Sequence, residues 1–183
     1  MRIIAIGDSI TSGQYLPSEQ AWPAILAELT GHEVLNAGVA NETTRQGLER
    51  FPRHVQERSP DVVIIQFGLN DCNRWKTDNG LPRVSLGAYR ENLIEMVERV
   101  RACGAAPMIA DITPTQKSAQ HQRDRNEYRR AAAFVAVDQG ARFIYANLYV
   151  RHLLDAVHLT PEGHRIFAEG AARCLQSQLV SAS

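Results

Sequence analysis

Lysine is nearly missing from this 183-residue chain. Only Lys76 and Lys117 occur, so almost all of the positive charge is arginine. Net charge is missing too: 20 basic side chains balance 20 acidic ones. That balance excludes capture of nucleic acid or of an anionic membrane surface by bulk electrostatics. Cysteine is sparse and odd in number. Cys72, Cys103 and Cys174 are widely spaced and form no CxxC pattern, which excludes a disulfide framework and predicts reduced thiols in a cytosolic protein. Apolar runs such as Val62-Val63-Ile64-Ile65 fall far short of the ~20 residues that span a bilayer, so no membrane insertion is expected. The chain opens directly into Arg2-Ile3-Ile4-Ala5-Ile6, without the charged and apolar regions of a signal peptide. A cytoplasmic placement is the expectation. No His, Cys or Glu spacing suggests a metal, and no glycine-rich phosphate loop or dinucleotide fingerprint is present. No cofactor is expected.

What remains is an ordinary globular composition, 44% apolar and 22% charged. A chain of this length reads as one domain over residues 1–183. Short apolar runs alternate with longer segments of helical period. Strands are predicted over 2–6, 33–36, 61–67, 107–112 and 141–145. Helices are predicted over 21–30, 43–57, 86–102, 123–139 and 161–179. The continuous runs Val62-Val63-Ile64-Ile65 and Met108-Ile109-Ala110 suit strands covered on both faces, as in a parallel sheet. In 86–102, Leu86, Tyr89, Leu93, Met96, Val97 and Val100 fall on one face, with Ser85 as N-cap and Gly104 as stop. The last helix opens on Thr160-Pro161 and carries the stripe Ile166, Phe167, Ala171, Cys174, Leu175 and Leu179. Strands alternating with helices predict a doubly wound α/β sheet. Two long loops, 68–83 and 113–122, would leave the carboxyl ends of strands, where such sheets bind ligands.

The chemistry-bearing residues sit at those strand ends. Ser9 follows the first strand, in Gly7-Asp8-Ser9-Ile10-Thr11. Far downstream, Asp155-Ala156-Val157-His158 sets a carboxylate three residues before an imidazole. A serine hydroxyl attacks only when a base takes its proton. Histidine suits that task because its free pKa is about 6.5, and a carboxylate fixes the ring's tautomer and stabilises the imidazolium. An oxyanion would need preorganised donors. Ser9 offers its own N–H, Gly38 in Asn36-Ala37-Gly38 offers an unobstructed N–H, and Asn70 in Gly68-Leu69-Asn70-Asp71 offers a side-chain amide. In a sheet ordered 2-1-3-4-5, the strands before these three residues are neighbours.

These four blocks, in this order, resemble those of the SGNH hydrolases, also known as GDSL lipases and esterases. The likeness runs from Gly7 to His164. It extends through Leu159-Thr160-Pro161-Glu162-Gly163 after the fourth block. The resemblance implies a flavodoxin-like three-layer α/β/α sandwich with a five-stranded parallel sheet. It implies Ser9 as nucleophile, Asp155 and His158 as the rest of a triad, and Ser9, Gly38 and Asn70 as the oxyanion hole. The implied activity is a cofactor-independent serine esterase or thioesterase acting on a small acyl ester through an acyl-enzyme. The modest aromatic content, 7%, leans toward short acyl groups. An acyltransferase using the same site is an alternative, as is a phosphate-binding module using Ser9-Ile10-Thr11-Ser12, which would leave Asn70 and the Asp155/His158 pair without a role.

Other polar residues read differently. Asp8 is expected to hold the turn through backbone N–H groups, and Asp71 to organise its loop. His32, His54, His121, His152 and His164 read as solvated or capping side chains, with His152 and His164 open to a supporting role near the triad. Cys72 reads as a small buried apolar residue. Trp22 and Trp75 are open between packing and walling a pocket. Arg74, Lys76 and Arg83 place positive charge in the 68–83 loop, available to an acidic substrate group or to solvent.

Overall fold

The computed structural model describes residues 1–181; the side chains of Asp78 and of residues 178–181 are not among those described. Leu179 of the predicted last stripe therefore lies outside the described side chains.

Five parallel strands, β1 (Arg2–Gly7), β2 (Glu33–Gly38), β3 (Val62–Gln66), β4 (Ala106–Ala110) and β5 (Arg142–Ile144), form one sheet. Their order is β2-β1-β3-β4-β5, as expected. Between them run α1 (Ser9–Ser12), α2 (Trp22–Thr30), α3 (Thr44–His54), α4 (Leu86–Ala102) and α5 (Ala119–Asp138), and α6 (Pro161–Ser181) follows β5. Helix α2 packs on α6, while α3 packs on α4 and α4 on α5, giving two helical layers around the sheet.

The continuous apolar strands are buried because both faces are covered. Every residue of β3 is buried, and each enclosed Val or Ile contributes about 1.5–3 kcal/mol relative to exposure. On α4, Tyr89, Leu93, Met96, Val97 and Val100 are buried and Leu86 is partly so. The Ser85 side chain accepts the Ala88 N–H as the predicted N-cap. Thr160 Oγ1 accepts the Gly163 N–H at 3.0 Å, so α6 starts where Thr160-Pro161 predicts. Its Phe167, Ala171 and Leu175 are buried, while Cys174 is partly buried against the core.

Strand ends shift by one or two residues from the sequence reading, and three helical features differ more. The expected 43–57 helix ends at His54 and passes into a separate tight turn, Gln56–Arg58. Helix α5 starts at Ala119, four residues early, because Ser118 accepts the His121 N–H and caps it there. Helix α1, a single turn directly after β1, was not expected.

Of the two readings for His152 and His164, solvated or capping, the structure bears out capping, with both side chains buried. His152 Nδ1 accepts the Tyr149 N–H at 3.1 Å. His164 Nδ1 accepts the Trp22 N–H at 3.1 Å, tying α6 to the first residue of α2. Trp22 is itself core, its ring 4.9 Å from that of Phe167. Burial, together with the charge of His158, holds His164 down at about 4. Its folded value lies below the unfolded value of about 6.5, so the unfolded chain binds the proton first. The stability carried by neutral His164 is complete above pH 6.5 and is lost as pH falls toward 4, up to about 3 kcal/mol. In a His164→Asn variant, which keeps an acceptor for Trp22 but does not titrate, that part of the pH dependence should be absent. Urea denaturation of both proteins from pH 4 to pH 7 measures the difference.

Candidate active site

The sheet register places the site. Gly7 pairs with Gly38 on one side and with Gln66 on the other, so β2, β1 and β3 end level. The segments that leave those ends share one rim. Thr11 Oγ1 donates to Gln66 Oε1 at 2.9 Å, which fastens α1 to the end of β3. Arg50 donates to the Gly7 carbonyl at 3.1 Å and forms a largely buried ion pair with Glu42. That pair ties the 39–43 loop to the end of β1.

Ser9 is the first residue of α1 and is buried. Asp8 holds it there: Asp8 Oδ1 accepts the Ile10 N–H at 2.9 Å, which is the turn-holding role expected of it. In the third block, Gly68 has φ +136, and a Cβ there would meet Ile112 Cδ1 at 2.2 Å, so only glycine fits. Asn70 Nδ2 donates to the Glu42 carbonyl at 2.9 Å, fixing the amide plane. Asp71 accepts the Thr44 N–H at 3.0 Å and the Thr44 hydroxyl. It therefore anchors the start of α3 and organises its loop, as expected.

Asp155 and His158 lie on the loop before α6. Asp155 Oδ1 accepts the N–H groups of Val157 and His158, both at 2.7 Å, and its Oδ2 meets His158 Nδ1 at 2.8 Å. Partial burial works against the Asp155 charge. The His158 ring and the two N–H groups outweigh it and bring the carboxyl to about 2. The 113–118 segment clasps this loop. Gln116 N–H and Thr115 Oγ1 both donate to the Ala156 carbonyl, at 2.8 and 3.0 Å.

Ser9, Asn70, Asp155 and His158 line one cleft of about 420 Å³, together with Gln14, Asn41, Asn73 and Lys117. Gly38 does not line it. Its N–H is donated to Asn36 Oδ1 at 2.9 Å, whereas the sequence reading made that N–H a donor at the cleft. Glycine is required there for packing instead: a Cβ at Gly38 would lie 2.2 Å from Ser12 N and 2.6 Å from Thr11 C. The 39–43 loop reaches the cleft through Asn41, which has φ +67 and whose backbone and side-chain oxygens both accept from Arg83. The signal in the sequence was faint: asparagine tolerates the left-handed region that a tight loop demands.

The loop charges are largely committed. Arg74 pairs with Asp124 at 2.6 Å, and Arg83 lies over the Trp75 ring at 4.5 Å. Trp75 is half exposed and, like Trp22, is not among the cleft residues. Cys72 is fully buried, and burial pushes its thiol up to about 12, which removes it as a nucleophile. Beneath the cleft, burial raises Asp8 to about 7 and Asp71 to about 6. Because Gly38 is held by backbone on its open side, Gly38→Ala should force α1 away from β2. A loss of about 1–3 kcal/mol in guanidinium denaturation is the expected result, whereas a residue used only for its N–H would accept alanine.

A model of the GDSL-like Lipase/Acylhydrolase family matches residues 5–166. The uncharacterised lipoprotein YqeF of Bacillus subtilis is 34% identical over 140 residues, covering 72% of this chain and 57% of that protein. An arylesterase of Vibrio mimicus is 29% identical over 116 residues, covering 60% and 53%. The chain thus spans about half the length of these curated relatives. Among solved structures, a G-D-S-L family protein from Desulfitobacterium hafniense superposes with a TM-score of 0.81 at 26% identity, covering 94% of this chain and 98% of that one. With its four sequence blocks brought to one rim and the family match running over most of its length, the chain belongs to the GDSL-like lipase/acylhydrolase family.

Proposed function

We propose that the protein is a serine esterase in which Ser9 is the nucleophile, His158 the general base and Asp155 the residue that orients and stabilises the base. The observation that carries this reading is the Asp155–His158 hydrogen bond at 2.8 Å in the cleft that Ser9 lines. With Nδ1 engaged by Asp155, the imidazole presents Nε2 to the serine. Ser9 Oγ attacks the ester carbonyl as His158 takes its proton. His158 then delivers that proton to the departing alcohol, and water releases the acyl group from Ser9 by the same route in reverse. The oxyanion rests on the Ser9 N–H and on the Asn70 amide. In place of Gly38, the Asn41 N–H is the third donor of this proposal, because Asn41 stands at the cleft and Gly38 does not.

A short acyl ester suits the cleft best. Its lining is dominated by Gln14, Asn41, Asn70, Asn73 and Lys117, and desolvating these polar groups against a long alkyl chain would cost free energy. The arylesterase and other esterase names among the relatives support ester hydrolysis in general. Among the described residues no helix is long and apolar enough to cross a membrane. The free thiols of Cys72, Cys103 and Cys174 fit the reducing cytoplasm that we propose as its compartment, although one relative is named a lipoprotein.

Ser9→Ala should abolish triad-dependent turnover and labelling by a fluorophosphonate. Full turnover of a p-nitrophenyl ester by that variant would overturn the reading. Asn70→Ala should lose about 10²–10³ in kcat, the scale of one oxyanion donor, as measured in the same assay. Across p-nitrophenyl esters of rising chain length, kcat/KM should peak at two to four carbons (roughly what a polar cleft accommodates). A peak at long chains would sink the short-acyl assignment.

A further inference from the structure

Tyr15 has φ +73. A bulky residue in the left-handed region is a genuine outlier, and such strain persists only where the surroundings impose it, most often at functional sites. Burial does not explain it, since Tyr15 is 68% exposed. The same turn uses glycine where it can: Gly13 has φ +75. What Tyr15 does gain is a ring contact. Its ring lies 4.9 Å from that of His158, with the planes at 82°.

The His158 ring needs a second restraint. Asp155 holds it through one hydrogen bond at Nδ1, and a single bond at one ring atom leaves the imidazole free to pivot. The loop that carries both residues is not helical. Tyr15, by contrast, belongs to the nucleophile's own segment. Gln14 N–H donates to the Ser9 carbonyl at 3.1 Å and Leu16 N–H to the Gly13 carbonyl at 3.0 Å, so the turn bearing Tyr15 is tied to the helix bearing Ser9. A ring on that turn, set edge-to-face against the imidazole, couples the position of the base to the position of the nucleophile.

We propose that Tyr15 is a positioning residue for His158, held in a strained backbone conformation so that its ring fixes the imidazole toward Ser9. The inference rests on the serine esterase reading and adds to it a residue that touches the base and not the ester. Loss of a positioning contact acts in the transition state, so kcat and kcat/KM should fall together while KM stays near its original value. The contact is made by the ring, so phenylalanine should serve.

The test is a set of variants assayed on one p-nitrophenyl ester. Tyr15→Asn places a residue that accepts the left-handed region, and should melt no lower than the parent, rising by up to about 2–4 °C as strain is relieved. Its kcat should fall about tenfold or more, within the range that an ångström of misplacement costs. Tyr15→Phe should retain kcat. Wild-type turnover by Tyr15→Asn, a lower melting temperature accompanying its loss of activity, or a matching loss in Tyr15→Phe would each overturn the proposal. Should Tyr15→Asn not fold, Tyr15→Gly carries the same expectation and the same reversals. Ser9→Ala separates the two levels. If it is inactive and Tyr15→Asn is unimpaired, only the positioning role fails; if it is active, the esterase reading fails first.

Discussion

The pairing of β1 with β2 on one side and β3 on the other is the constraint on which the site depends. Because the register sets Gly7 level with Gly38 and Gln66, three chain segments turn away from the sheet at one height. Hydrogen bonding along parallel strands fixes that height to within a residue, since a slip would mispack Val and Ile side chains that are buried on both faces of the sheet. The Thr11–Gln66 hydrogen bond and the Arg50 contacts to Gly7 and Glu42 then lock the departing loops to the strand ends. The helix bearing Ser9 and the Asn70 loop are thus parts of one rigid edge.

That edge carries polar groups that a stability-optimised core would not. Asp8 and Asp71 are fully buried, and each leaves one carboxyl oxygen without a partner among the described residues. Desolvation on this scale costs free energy unless hydrogen bonds offset it. The bonds to Ile10 and Thr44 supply part of the offset, and what they secure is position. Asp8 fixes the turn presenting Ser9, and Asp71 fixes the start of α3 beside the loop presenting Asn70. Tyr15 and Asn41, both at positive φ beside the cleft, extend the same pattern into the backbone. Local cost at a site is repaid by packing elsewhere, here by the enclosed strands and by α2 against α6.

The last piece of the site arrives from the far end of the chain. Asp155 and His158 are neighbours within one loop, and their mutual hydrogen bond is largely a local matter. Their approach to Ser9 is not. It depends on α6 docking against α2 through His164 and Trp22, and on the 113–118 segment gripping Ala156. The second long loop thereby braces the loop that carries His158.

Burial patterns made the fold legible in the sequence. Strands covered on both faces write themselves as continuous apolar runs, and α4 shows its buried stripe at helical spacing, because burial constrains every residue in the element. The start of α5 was missed for the complementary reason. Its first turns bury His121 and Asp124, polar residues that leave no mark in an apolar pattern. Helix α1 has only four residues, too few for any period to register. The motif blocks pointed to Ser9, Asn70, Asp155 and His158 because such chemistry restricts residue type, and all four line one cleft. Which residue of the 36–43 stretch meets the cleft was not so restricted. Any backbone N–H has the same chemistry, so only the path of the loop could choose Asn41 over Gly38. The Tyr15–His158 contact was hidden in the same way. The sequence by itself determined the layers, the strand order and the polar side chains that meet in the cleft, through burial and functional-group chemistry. Tertiary structure alone decided which loop residue meets the cleft and which ring meets His158, because both depend on distances between segments that are remote along the chain.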